Sequence, residues 1–196
     1  MQHWTRRNSL GGPRLRTQLE AQEAAVLRGL VGSVDQMLAG RAADAPTDEL
    51  SELTGMRTGD SAAPEDASLA RLLPDFHRLD RPQNGDRTDV AEDAGADSAA
   101  ALRSLHEPEI IDAKRASAGV LLETCPEGGG KVSLTPEQAD AWLTAINDVR
   151  LSLGTMLDIG PETPEELPDD DPRAAHFGVY QWLTFVQDSL VQVLLD

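Results

Sequence analysis

Residues 131–157, KVSLTPEQADAWLTAINDVRLSLGTML, read as a short strand running into a long capped helix. Thr135 sits where an N-cap belongs. Pro136 fits the first helical position, where its missing N–H would be unpaired anyway, and Gln138 completes a T-x-x-Q capping box. Trp142, Leu143, Ile146, Val149, Leu153, Met156 and Leu157 then recur at three- and four-residue steps, with Thr144, Asp148 and Ser152 largely on the other side. The pattern predicts a scaffold helix with one buried stripe. Nothing in its chemistry names an activity.

A second unit of the same kind lies upstream. Gln22, Ala25, Val26, Leu27, Leu30 and Met37 align with Gln138, Ala141, Trp142, Leu143, Ile146 and Leu153 at a constant offset of 116 residues. A strand near Arg14–Arg16 would lead into a helix over about Glu20–Leu38, whose Gly29 and Gly32 each lower helix propensity by about 1 kcal/mol. The strands near Arg16 and Val132 are then candidates to pair as a two-stranded sheet, which needs helices for support. The expected fold is mainly α, a helical bundle with a small two-stranded sheet and long acidic loops. A basic arm over 1–13 precedes a single helical domain over 14–196, interrupted by a loop-rich acidic insertion at about 41–97.

That insertion is rich in Ala, Asp, Gly and Pro and carries 14 acidic and six basic residues. Within it, DASLARLLPDF (66–76) forms a short amphipathic island. Its Leu69, Leu72, Leu73 and Phe76 either pack on the bundle or serve as a docking peptide for a partner. From Asp97 a helical pattern resumes and is interrupted at Pro108, predicting two helices or one with a kink. CPEGGG (125–130) ends it in a turn. After an acidic loop, Asp171 and Pro172 open a last helix. Its apolar surface, from Phe177 to Leu194, is too wide for one face, which leaves burial within the monomer and a homodimer interface both open.

Composition restricts the function class. No run approaches the roughly 18 apolar residues of a membrane span, and the N-terminus lacks an apolar signal region, so a cytoplasmic protein without membrane association is expected. Cys125 is the only cysteine, consistent with a reducing compartment. The four histidines fall in no metal-ligand spacing, and no phosphate loop, dinucleotide fingerprint or nucleophile elbow is present. The expectation is a protein without catalytic residues, metal or cofactor.

The net charge of −17 argues against broad contact with nucleic acid, yet the charge is uneven. Residues 1–16 carry Arg6, Arg7, Arg14 and Arg16 and no acid, leaving 13 bases against 34 acids in the remainder, a balance of −21. These four arginines are the candidate contacts to phosphate or to an acidic partner, the alternative being a solubilising terminus. Cys125 should be accessible beside Pro126 and three glycines. The helix end raises its thiol pKa, and a redox role would have to be intermolecular.

W-x-R-x…R-L-R near the start, L-A-R-L-L-P-D at 69–75, A-W-L-x-A-I-N-D-x-R-L-x-L-G-T at 141–155 and Y-x-W-L-T-F-V-Q-x-S-L at 180–190 together resemble one actinobacterial family. It was once catalogued as of unknown function and is now called the AosR-type oxidative stress regulators. The resemblance implies cytoplasmic, non-catalytic control of transcription under oxidative stress, acting with a sigma factor and RNA polymerase or on promoter DNA. It also implies a genomic association with the proteolytic adaptor ClpS, and hence an alternative role as a Clp-linked interaction adaptor. A switch built on an intrachain disulfide is excluded here, because Cys125 stands alone in this chain.

Overall fold

The computed structural model describes residues 1–9, 12–45, 58–75, 89–168 and 170–195. In chain order the elements are β1 (Thr5–Ser9), β2 (Gly12–Leu19), α1 (Ala21–Ala43), α2 (Ala67–Leu72), α3 (Asp89–Thr124), β3 (Gly130–Leu134), α4 (Pro136–Met156) and α5 (Ala174–Leu195). The mainly helical expectation holds, and the strands near Arg16 and Val132 do pair, antiparallel, with Arg16 opposite Ser133 and Thr17 opposite Val132. The sheet has three strands rather than two. The basic arm expected over 1–13 supplies β1, which pairs with β2 through Thr5 opposite Arg16 and Arg7 opposite Arg14. The arm reading missed this because Arg6, Arg7 and Asn8 are all exposed, so an edge strand there carries no apolar alternation.

Helix α4 is the centre of the molecule and packs against each of the other four described helices. Its start is as the sequence requires. The Gln138 N–H donates to Thr135 Oγ1 at 3.2 Å and the Thr135 N–H donates to Gln138 Oε1 at 2.9 Å. Trp142 and Ile146 are fully buried, together with Leu27 and Leu38 of α1, Leu121 of α3, and Leu183 and Leu190 of α5. The stripe ends sooner than its period implies, since Met156 at the last turn is 73% exposed. Asp148, on the expected polar side, is buried instead. Lys114 of α3 donates to its carboxylate at 2.6 Å, opposing the burial that pushes the Asp148 pKa up. In α5, Phe177, Leu183, Val186 and Leu190 are buried within this chain, while Phe185 stays exposed.

Helix α3 runs without a break from Asp89 through Pro108, so of the two alternatives the single helix holds and the pair does not, and 89–97 is helical rather than loop. The reason lies in the insertion. Proline has no N–H to give the carbonyl four residues back, leaving Ser104 O without its helical donor. The Gly59 N–H donates to that carbonyl at 2.7 Å, and Ser104 Oγ donates to Gly59 O at 3.0 Å. The approach is close: a Cβ at Gly59 would lie 3.0 Å from Pro108 Cδ, so a larger residue there requires the proline ring to give way by a few tenths of an ångström.

The same corner holds a buried ionic cluster joining α1, α3 and the segment 58–75. Arg41 Nε donates to Glu107 Oε1 at 2.6 Å, and Arg103 Nη1 donates to Glu107 Oε2 at 2.9 Å. Arg41 also pairs with Asp60 at 2.9 Å, and Arg103 pairs with Asp75 and donates to Leu73 O at 3.2 Å. This part of the acidic insertion is therefore pinned to the bundle. Residues 46–57 and 76–88 lie outside the described residues.

Candidate functional site

The alternation of β2 and β3 decides what the sheet presents. Leu15, Thr17 and Leu19 of β2 and Val132 and Leu134 of β3 are buried toward the helices. The residues between them must face away. Directly opposed residues share a face, so Arg7 and Arg14 stand side by side, Thr5, Arg16 and Ser133 form the next row, and Gln18 pairs with Lys131. The outer face thus gathers Arg7, Arg14, Arg16 and Lys131 with hydroxyl and amide side chains between them. A shallow cavity of about 430 Å³ crosses it, lined in part by His3, Thr5, Arg7, Arg16, Lys131 and Ser133.

Of the four candidate arginines, Arg7, Arg14 and Arg16 share one face of the sheet and Arg6 does not. Arg6 is opposite the inward Leu15 and belongs to the other side of the sheet edge. Lys131 was missed because 115 residues separate it from Arg16. Its signal was the alternation Lys131, Val132, Ser133, Leu134 read together with the strand pairing.

Elsewhere most of the described cations are used inside the fold, Arg71 of α2 being exposed. Arg28, Arg41, Arg103, Lys114, Arg115 and Arg173 all form ion pairs within the chain, and the Arg150 guanidinium lies 5.2 Å from the centre of the Tyr180 ring. Arg7, Arg16 and Lys131 are exposed and have no ion-pair partner among the described residues. Arg14 is half-buried and is felt by Glu137 at the start of α4. That carboxyl is held below its ordinary range mainly by its own backbone N–H and the Thr135 hydroxyl, with Arg14 adding a smaller pull.

The other candidates are placed differently from expectation. Leu72 and Leu73 are each 2% exposed and Leu69 is partly buried, so these leucines are held by the chain's own core, against α4, rather than offered to a partner. Phe76 lies outside the described residues. Cys125 is 2% exposed, which corrects the expectation of an accessible thiol. Burial pushes its pKa up, opposed by Arg28, whose Nη1 donates to the Cys125 carbonyl at 2.7 Å. The glycines beside it do not open the turn. Gly129, at φ +73°, packs so closely on the start of α1 that a Cβ would lie 2.6 Å from Ala21 N. Cys125 should accordingly react with a thiol reagent such as DTNB at least 10-fold more slowly in the native chain than in urea, because only the exposed thiolate reacts. Equal rates would show that the turn opens freely.

Among the described residues no group of three or more His, Cys, Asp or Glu side chains converges as a metal site, and no helix is long and apolar enough to cross a membrane.

Fold and site define a mainly α-helical protein whose three-stranded antiparallel sheet turns a cationic face outward. The chain belongs to the family described as Domain of unknown function (DUF2017), whose model matches residues 1–194. Proteins named "Oxidative stress regulator AosR" from Mycobacterium bovis and Mycobacterium tuberculosis are each 51% identical to it over 195 residues, covering 100% of this chain and 88% of theirs. A relative from Mycobacterium leprae is 46% identical over 193 residues, covering 98% of this chain and 88% of its own. No solved structure matches the chain.

Proposed function

We propose that this protein is a non-catalytic regulator of gene expression under oxidative stress, and that it works by contact with the transcription apparatus. Relatives at 51% identity over the full chain carry the name of oxidative stress regulator. The observation that supports a contact mechanism is the sheet face, where exposed cations without acidic partners are gathered on a chain of net charge −17. With its single thiol buried, the chain acts downstream of an oxidation signal sensed elsewhere. The alternative of a Clp-linked adaptor needs Leu72 and Leu73 to leave the core.

The test is a strain lacking the gene, compared with its parent by transcript profiling after peroxide, together with a pull-down of purified RNA polymerase holoenzyme by the full chain. Altered peroxide induction and polymerase retention are expected. An unchanged peroxide response in the deletion strain overturns the reading.

A further inference from the structure

We propose that the outer face of the β1–β2–β3 sheet binds the phosphate backbone of duplex DNA without reading its sequence, with Arg7, Arg14, Arg16 and Lys131 as the phosphate contacts. This rests on the reading of the protein as a regulator of transcription and names the partner of its sheet.

The first argument is energetic. Like charges directly opposite each other on neighbouring strands destabilise a sheet, and Arg7 stands directly opposite Arg14, with Arg16 two residues further along the same face. The chain has twice as many acids as bases, 34 against 17, yet places none on these rows of the face. The repulsion among the cations is relieved when an anion with several charges lies across them.

The second argument concerns which anion. The paired rows of the face carry Arg, Lys, Thr, Ser and Gln side chains, and the one ring lining the cavity that crosses it is the polar imidazole of His3, which packs edge-to-face on Phe185 with ring centres 4.7 Å apart. Protein partners are held around an apolar or aromatic centre, whereas nucleic-acid interfaces are polar and strongly positive. Phosphate oxygens are bound by arginine, lysine, hydroxyl and amide groups of this kind. The inward residues are occupied by the core, so no side chain of the sheet is available to enter a groove as an apolar wedge, and no Arg/Lys-rich helix accompanies it. Contact is therefore with the backbone alone. The acidic remainder of the chain is repelled by DNA, which confines the approach to this one face.

Four phosphate contacts set the expected salt dependence. The observed association constant should fall with log salt at a slope of about −3.6, a loss of roughly 100-fold between 50 and 200 mM. The experiment is fluorescence anisotropy of the full chain against labelled 25-base-pair duplexes of three unrelated sequences, each titrated across that salt range.

Binding should be similar for all three duplexes. The triple variant Arg7→Gln/Arg16→Gln/Lys131→Gln, all at exposed positions, should lower the slope by about 3 and the affinity at 50 mM by more than 10-fold. Arg71→Gln, on α2 away from the sheet, should leave both unchanged, and circular dichroism verifies that each variant is folded. Absence of duplex binding at 50 mM overturns the inference, as does binding that the triple variant leaves intact. If the duplex fails while polymerase retention and the altered peroxide response persist, the DNA face is wrong and the regulatory reading stands.

Discussion

Replacing Glu107 by alanine is expected to lower the unfolding free energy by about 3 kcal/mol and the melting temperature by roughly 6–12 °C. Glu107 is 2% exposed and its two oxygens each accept from a different buried arginine, Arg41 of α1 and Arg103 of α3. Taking away one partner of a buried ion pair generally costs about 3–5 kcal/mol, because the remaining charge stays out of water without compensation. The lower end applies here. Each arginine keeps a second acid, Asp60 for Arg41 and Asp75 for Arg103, but these side chains are 30% and 63% exposed and so neutralise less well. Urea unfolding should show a midpoint lowered by on the order of 1 M with an unchanged slope. Because Arg41 also donates to Ala62 O at 2.5 Å, hydrogen exchange over 58–75 should accelerate more than over α4. A midpoint within 0.2 M of the parent would show that this cluster contributes nothing net.

Trp142→Ala is expected to cost about 3–5 kcal/mol. The indole is fully buried in the central helix. It packs edge-to-face against Trp4, with ring centres 5.6 Å apart, and its Nε1 donates to Thr124 Oγ1 at 2.7 Å. The substitution removes the largest buried side chain of α4 and leaves a space that its neighbours cannot wholly close. It also loosens Trp4, whose backbone N–H donates to Ser189 Oγ at 3.1 Å and so fastens the start of β1 to α5. Met156→Ala, on the same sequence stripe, should change stability by less than about 0.5 kcal/mol because that side chain is 73% exposed. Thermal unfolding of the two variants side by side tests the contrast. Equal losses would mean that the stripe, and not burial, governs the helix.

Much of the helical framework is legible in the chain because its signals are local. The Thr135–Pro136–Gln138 cap, the 3.6-residue stripe of α4 and the similar stripe of α1 each operate within a few turns, and the structure places both helices where those patterns lie. The third strand was hidden because an edge strand whose side chains meet solvent has no apolar period to detect. Whether α3 is one helix or two stayed open in the sequence because the donor that satisfies Ser104 O comes from Gly59, 45 residues away. Cys125 was misjudged for a related reason: glycines beside a residue permit exposure, but the close contact of Gly129 with α1 closes the turn.

The candidate site divides along the same line. Sequence by itself determined that the basic charge is concentrated near Arg6–Arg16 on an otherwise acidic chain, and that two strand-then-helix units build the framework. Charge and capping depend on residue identity and near neighbours, and need no tertiary information. Only the tertiary structure decided which cations share a face. Antiparallel register sets Arg7 beside Arg14 and brings Lys131 to the same face across more than a hundred residues, while one step of strand alternation turns Arg6 to the other side. Burial in turn took Leu72, Leu73 and Cys125 out of contention, because whether a side chain meets solvent is settled by what packs over it, and those neighbours come from distant parts of the chain.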